Sequence, residues 1–105
     1  MAAAERGDEM DEDCEFAEVI VRGRVQGVGY REFARRSAER HGVAGFVRNR
    51  ADDAVEARLV GPAAAVEAML GDLRKGPPHA AVAEVKIVAR GLAAREQGFL
   101  VRPTI

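Results

Sequence analysis

Residues 16–42 read FAEVIVRGRVQGVGYREFARRSAERHG, and the hydrophobic period changes in the middle of this stretch. Its first seven residues alternate loosely and are rich in β-branched side chains, which predicts a β-strand over 16–22. Three glycines within 23–29 predict a loop with unusual backbone angles. From Tyr30 to His41 apolar side chains recur at helical spacing, and Gly42 is suited to end that helix.

The remaining chain adds strand and helix patterns in an order that favours one architecture. Gly61 and Pro62 are expected to end the third strand, and an amphipathic helix follows until Gly76. The predicted strands are 43–49, 54–60, 82–88 and a short one at 99–102. The apolar stripe of the second helix is Val66, Met69, Leu70 and Leu73. The order β-α-β-β-α-β predicts an α+β, ferredoxin-like sandwich, an antiparallel sheet with two helices on one face.

Length and charge divide the chain into two parts. A chain of 105 residues with 48% hydrophobic residues suits a single domain. Residues 1–15 hold seven acidic side chains and one basic, a net charge of −6, and are expected to be a disordered acidic leader. Residues 16–105 hold 15 basic and 10 acidic side chains, a net charge of +5. A cationic domain makes an anionic ligand plausible.

Compartment and partners are indicated only weakly. Cys14 is the single cysteine, so no internal disulfide or thiolate metal cluster is expected and a reducing cytoplasm fits best. Neither a secretory signal nor an apolar run of membrane-spanning length is found, so no membrane partner is expected. With no evident apolar patch, a monomer is the default expectation.

The glycine-rich loop before the first helix is the most informative chemical feature. Several glycines can turn successive N–H groups inward as an anion nest, and a helix N-terminus adds unpaired N–H groups. Arg31 falls in the first helical turn, where a cation is unfavourable unless an anion offsets it. Its donor fork suits a phosphate. A connector with a solvated arginine explains the loop equally well, and the spacing matches neither a Walker A loop nor G-x-G-x-x-G.

Asn49 ends the predicted second strand. In a split βαβ unit the first and second strands run in the same direction with the third between them, so their carboxyl ends lie about 10 Å apart. The glycine-rich loop and Asn49 can therefore face one ligand. The alternative is an asparagine that merely forms the turn before Arg50 and Ala51.

These two segments together resemble the paired signature of the acylphosphatases: GRVQGVGYR at 23–31 and GFVRN at 45–49. The resemblance covers nearly all of 16–105. It implies hydrolysis of a small-molecule acyl phosphate to a carboxylate and inorganic phosphate. It also implies that Arg31 binds the phosphate and that Asn49 positions the attacking water. The backbone amides implied to cradle the phosphate oxygens are those of Gln26, Gly27, Val28 and Gly29.

The residue types fit such a substrate. His41 and His79 are expected away from the loop and Cys14 in the leader, so the site offers no evident general base, nucleophile, metal cluster or cofactor. Such a site is poorly equipped for phosphate monoesters, whose uncatalysed hydrolysis is very slow. An acyl phosphate instead releases a stable carboxylate, so holding the phosphoryl group and orienting one water can suffice. The substrate's own phosphate oxygen would accept the water's proton.

The turn Arg50–Ala54 lacks the glycine expected after its aspartate, so Asp53 is expected to adopt the left-handed region itself.

Two binding modules are rival interpretations. RNA-recognition domains share the strand order but stack bases on aromatic side chains, and here the first strand offers only Phe16 and the third offers none. Nucleic acid is therefore not an expected partner. A non-catalytic small-anion or metabolite-binding module would keep the loop but would not need Asn49 opposite it.

Overall fold

The structure is a computed structural model and describes residues 14–105. These residues form five strands and two helices. The strands are β1 (Cys14–Arg24), β2 (Ala44–Asn49), β3 (Val55–Pro62), β4 (Ala81–Leu92) and β5 (Phe99–Arg102). The helices are α1 (Tyr30–His41) and α2 (Ala63–Lys75).

The strands form one sheet in the order β4-β1-β3-β2-β5. Antiparallel pairing joins β4 to β1, β1 to β3 and β3 to β2. The predicted ferredoxin-like α+β sandwich is confirmed, with one correction to its sheet. Strand β5 pairs with β2 in parallel, so the sheet is mixed and not wholly antiparallel. A four-residue strand leaves too little pattern to reveal its partner or its direction.

Several strand boundaries differ from the predictions, and three strands show the larger differences. Strand β1 begins at Cys14, so Cys14 and Glu15 belong to the sheet, while the rest of the predicted leader lies outside the described residues. Strand β3 continues through Gly61 and ends only at Pro62, because Gly61 is paired with Glu15. Pro62 is the N-cap residue of α2, whereas the sequence predicted it within the first turn of that helix. Strand β4 extends beyond 82–88 to Ala81–Leu92, since β1 pairs with it over nearly its whole length.

The core lies between the sheet and the two helices. Helix α1 packs against β2 and β5, and α2 packs against β1, β3 and β4. The predicted apolar stripe of α2 is fully buried, which confirms the helical period. The members of the stripe are Val66, Met69, Leu70 and Leu73. The buried Tyr30 hydroxyl donates to the Leu73 carbonyl at 2.7 Å, so a hydrogen bond also ties the two helices together.

Strand register brings the two predicted site segments to one edge of the sheet. Val55 of β3 is paired with Val21 on one side and with Asn49 on the other. Strands β1 and β2 are both antiparallel to β3 and therefore run in the same direction. The loop leaving β1 and the residue closing β2 consequently share an edge, as the sequence predicted.

Candidate active site

A pocket of about 270 Å³ opens at this edge of the sheet. The loop after β1, the first turn of α1, the end of β2 and one residue of β5 contribute to it. Its lining residues are Val25, Gly27, Gly29, Tyr30, Arg31, Glu32, Asn49 and Val101. The fold therefore brings together four of the predicted site residues, namely Arg31, Asn49, Gly27 and Gly29.

The loop backbone presents unpaired donors. Gly27 and Gly29 have φ angles of 73° and 80°, in the left-handed region that glycine adopts without strain. The first backbone hydrogen bond of α1 runs from the Phe33 N–H to the Gly29 carbonyl at 3.0 Å. The three N–H groups before it, from residue 30 to residue 32, therefore have no partner within the helix. Unpaired N–H groups at a helix N-terminus attract anions.

Arg31 brings a side-chain cation to the same pocket. It lies half-buried in the first turn of α1 and forms no ion pair with any acidic side chain in residues 14–105. A guanidinium beside the positive end of a helix is unfavourable without a compensating anion. The arrangement of Arg31 therefore suits a ligand that carries negative charge.

Glu32 is the acidic side chain in the pocket lining, and it is held by two neighbouring arginines. Arg35 donates to both of its carboxylate oxygens at 2.9 and 2.8 Å, and Arg36 donates to one of them at 3.1 Å. The hydrogen bond from Arg35 is the main cause that lowers the pKa of Glu32 to about 2. Glu32 is therefore ionised near neutral pH with its charge balanced by Arg35 and Arg36, and it is no proton donor there.

Asn49 lines the pocket from the end of β2. Its side-chain oxygen Oδ1 is buried and accepts no hydrogen bond from any residue in 14–105. A buried acceptor without a donor costs about 1–3 kcal/mol. The two ends of a side-chain amide have similar shapes, so a half-turn about the Cβ–Cγ bond exchanges oxygen and nitrogen with little steric change. Asn49 can thus offer either an acceptor or a donor to a ligand.

Two of the predicted site residues, Gln26 and Val28, do not line the pocket. The Gln26 side chain turns toward the β2–β3 turn, where its Nε2 donates to the carbonyls of Arg50 and Ala54, each at 2.8 Å. Val28 packs against the hydrophobic core. The sequence predicted a role only for the backbone amides of these two residues, and that prediction is not tested by the positions of their side chains.

The remaining reactive side chains lie away from the pocket. His41, at the end of α1, contacts Asp72 of α2 at 3.0 Å, and His79 is exposed in the segment before β4. Cys14 is buried at the opposite end of β1. The expectation that the site uses neither metal nor cofactor stays a prediction.

The sequence did not predict four residues of the pocket wall, which are Val25, Tyr30, Glu32 and Val101. Val101 reaches it through the parallel pairing of β5 with β2, for which no sequence pattern exists. Glu32 could have been inferred, since it follows Arg31 in the first turn of α1. Its pairing with Arg35 and Arg36 follows the helical i, i+3 and i, i+4 spacings.

Comparison with known proteins identifies the family. The model of the Acylphosphatase family matches residues 17–101, which is most of the chain. The chain belongs to the acylphosphatase family. An acylphosphatase of Rhizobium meliloti (strain 1021) is 44% identical over 90 residues, covering 86% of this chain and 95% of the relative. An acylphosphatase of Rhodospirillum rubrum is 48% identical over 88 residues, covering 83% and 94%.

Solved acylphosphatase structures agree with the fold. The crystal structure of acylphosphatase from Bacillus subtilis superposes with a TM-score of 0.78 at 30% identity, covering 85% of this chain and 98% of that one. An acylphosphatase structure from Coxiella burnetii gives a TM-score of 0.73 at 34% identity, covering 90% and 96%. The chain is accordingly an enzyme that hydrolyses acyl phosphates, and the activity predicted from its two motifs is confirmed. The comparisons give no support to a non-catalytic binding module.

Proposed function

We propose that Arg31 binds the phosphoryl group of the acyl phosphate and that Asn49 orients the water that attacks it. One observation carries this assignment. Asn49, with its buried and unpartnered Oδ1, lines the same pocket as Arg31, whose cation has no acidic partner among the described residues. A substrate with a phosphate dianion and an attacking water would satisfy both groups at once.

The loop completes the phosphate site. The N–H groups of Gln26, Gly27, Val28 and Gly29 take no part in the backbone hydrogen bonds found in the loops of residues 14–105. They are therefore available to phosphate oxygens, together with the first N–H groups of α1. Donors fixed in advance around developing charge stabilise a transition state without having to reorganise.

The reaction needs few groups from the protein. A new bond forms between the water oxygen and phosphorus, and the bond between phosphorus and the acyl oxygen breaks. Its electron pair leaves on the carboxylate, which is stable without a proton. Arg31 and the loop amides hold the phosphoryl oxygens, and Asn49 Oδ1 accepts a hydrogen bond from the water and fixes its direction.

The water's proton passes to a phosphoryl oxygen of the substrate. Asn49 is a poor base, and Glu32 is committed to Arg35 and Arg36. The ratio of kcat to KM should consequently show no titration of an enzyme group near neutral pH. A steep dependence on pH between 6 and 8 that follows a group on the enzyme would contradict this proton route.

Phosphate release from acetyl phosphate tests the two roles. Arg31→Ala should raise KM and lower kcat/KM by roughly 10²–10³-fold, because charge stabilisation is lost in both the ground state and the transition state. Asn49→Ala should lower kcat by a similar factor of roughly 10²–10³ with KM nearly unchanged, because the water is lost but the phosphate site is kept. Each variant is checked for folding by circular dichroism.

Arg74→Ala is the matched control, since it removes an exposed arginine in the last turn of α2 and leaves the pocket intact. Its kcat/KM should stay within about twofold of the original chain. Unchanged kcat in Asn49→Ala would remove the water-orienting role, and unchanged KM and kcat in Arg31→Ala would remove the phosphate-binding role.

We further propose that the enzyme acts as a cytoplasmic monomer on a small-molecule acyl phosphate, without nucleic acid or membrane partners. The sequence has a single cysteine, and β3, at the centre of the sheet, carries no aromatic side chain on which a base could stack. No helix within residues 14–105 combines the length and the apolar character needed to cross a bilayer. Light scattering on the purified chain measures its mass, and a value twice that of one chain would contradict the monomer.

A further inference from the structure

Gln26 connects the two halves of the site through its side chain. Both hydrogen bonds of its Nε2 reach main-chain carbonyls, those of Arg50 and Ala54, at 2.8 Å each. These carbonyls lie 24 and 28 residues away in sequence, and the bonds are partly buried. The NH₂ group of the amide thus has both of its donors engaged on a different segment of the chain.

Each end of this connection adjoins a residue of the pocket. Gln26 immediately precedes Gly27 of the anion-binding loop, and Arg50 immediately follows Asn49. The Arg50 N–H donates to the Ala54 carbonyl at 2.8 Å and closes the turn, so the two carbonyls that Gln26 binds lie at the two ends of one turn. The Asn49 carbonyl is held from the other side by the Ile105 N–H at 3.2 Å.

A second side-chain link between the same regions is weaker. Arg22, near the end of β1, pairs with Asp52 of the turn at 3.3 Å, and both side chains are more than two-fifths exposed. Exposed ion pairs of this kind contribute little, since water and salt screen them. The amide of Gln26 instead bonds in a partly buried position, where a lost partner leaves a carbonyl unsatisfied.

We propose that Gln26 is a positioning residue that fixes Asn49 relative to the phosphate-binding loop through these two hydrogen bonds. This inference rests on the proposed role of Asn49. A glutamine is suited to the task because it reaches the turn and supplies two donors without charge. A glutamate of the same length would direct an acceptor at two carbonyls, and a methionine would offer no donor.

Three substitutions separate positioning from general structural support. In Gln26→Met, kcat for acetyl phosphate should fall roughly 10-fold or more, because small displacements of a reacting group are costly. The Kd of inorganic phosphate should stay within about twofold, because Arg31 and the loop amides are retained. Arg22→Met is the matched control: it breaks the exposed link between the same segments and should leave kcat within about twofold.

Gln26→Glu adds a pH readout. At neutral pH its carboxylate cannot donate, so its kcat should fall as in Gln26→Met. The two carbonyls facing the new carboxyl disfavour its ionised form, so toward pH 4 it becomes protonated and can donate one hydrogen bond to a turn carbonyl. Its kcat relative to the original chain should then recover several-fold, while the ratio for Gln26→Met stays flat.

The outcomes distinguish this inference from the proposed function. A low kcat in Asn49→Ala with an unchanged kcat in Gln26→Met would overturn the role of Gln26 alone. A Kd for inorganic phosphate that weakens in parallel with kcat would also overturn it, since Gln26 would then shape the loop itself. An equal loss in Arg22→Met, or no recovery of Gln26→Glu at low pH, counts against it as well. Unchanged kcat in Asn49→Ala contradicts the proposed function first.

Discussion

The glycine positions differ widely in the space that they leave for a Cβ atom, and Gly45 leaves the least. It lies in β2 with a φ of 129°, and an added Cβ would come within 1.8 Å of the Arg58 carbonyl oxygen. The backbone of β2 therefore approaches β3 more closely than any other residue type permits.

Gly45→Ala should lower the free energy of unfolding by about 3 kcal/mol, from backbone strain and the clash with β3 together. Gly71→Ala is the matched control, since Gly71 is an exposed position inside α2 with nothing within 4 Å of an added Cβ. Gly71→Ala should raise the free energy of unfolding by about 0.5–1 kcal/mol, because alanine is the better helix former. Urea denaturation of both variants checks the pair, and equal stabilities would contradict the close approach at Gly45.

At the scale of elements, the two helices are joined by a cluster around Asp72 of α2. Its Oδ2 accepts hydrogen bonds from Ser37 at 2.7 Å and Arg40 at 2.5 Å, and contacts His41 Nε2 at 3.0 Å. Burial alone would raise the pKa of Asp72, but the hydrogen bonds from these three residues of α1 outweigh burial and lower it. The carboxylate is therefore favoured in the folded chain.

Asp72→Asn should lower the free energy of unfolding at pH 7 by about 1–2 kcal/mol, since charge-assisted hydrogen bonds are lost. A lowered folded-state pKa stabilises the fold above the unfolded value, near 3.8, and this contribution is lost as the pH falls through the folded-state pKa. The difference between the variant and the original chain should therefore shrink below about pH 4.

Urea denaturation at pH 7 and pH 3 measures both effects. Asp53→Asn serves as the control, because it removes an exposed carboxylate in a turn and leaves the cluster intact. Asp53→Asn should change the free energy of unfolding by less than about 0.5 kcal/mol at both pH values. A cost for Asp72→Asn that is the same at pH 3 and pH 7 would show that the charge of Asp72 is not what joins the helices.

At the scale of the whole molecule, β1 spans the sheet from one end to the other. Its ten residue steps from Cys14 to Arg24 cover about 33 Å, and the pocket lies beyond its far end. At the near end Cys14 is buried and paired with Pro62, and Ala93 donates its N–H to the Cys14 carbonyl at 2.9 Å. The buried start of β1 and the pocket therefore lie at opposite ends of one strand.

Removing residues 1–13 should leave both stability and kcat/KM unchanged, whereas removing residues 1–15 should lower the free energy of unfolding by about 1–2 kcal/mol. The longer deletion removes the buried Cys14 and the ion pair between Glu15 and Arg90. Its kcat/KM at 25 °C should remain unchanged, because the site lies at the other end of β1. Loss of turnover in a folded chain beginning at residue 14 would show that the leader takes part in activity.

Periodicity and motif spacing predicted the architecture and the central residues of the site. The helical period identified α1 to the residue, and the order of elements predicted that β3 lies between β1 and β2. Asp53 has the predicted left-handed backbone, with a φ of 71°. Arg31, Asn49, Gly27 and Gly29, which two separate motifs mark, line one pocket, while their roles in the reaction stay predictions. Local patterns suffice where neighbouring residues decide the conformation.

Only the tertiary structure decided the features that depend on distant segments. The parallel pairing of β5 with β2 brings Val101 to the pocket. The Gln26 amide donates to a carbonyl in the turn after β2, and the pairing of Glu15 with Gly61 extends β3 to Pro62. None of these leaves a periodic trace, because hydrogen-bond partners 24 or more residues apart are chosen by the packing of the whole sheet. The sequence by itself thus determined the fold, the family and the two motifs that meet at the pocket. The tertiary structure decided which distant segments contact those motifs, because the packing of the whole sheet sets such contacts.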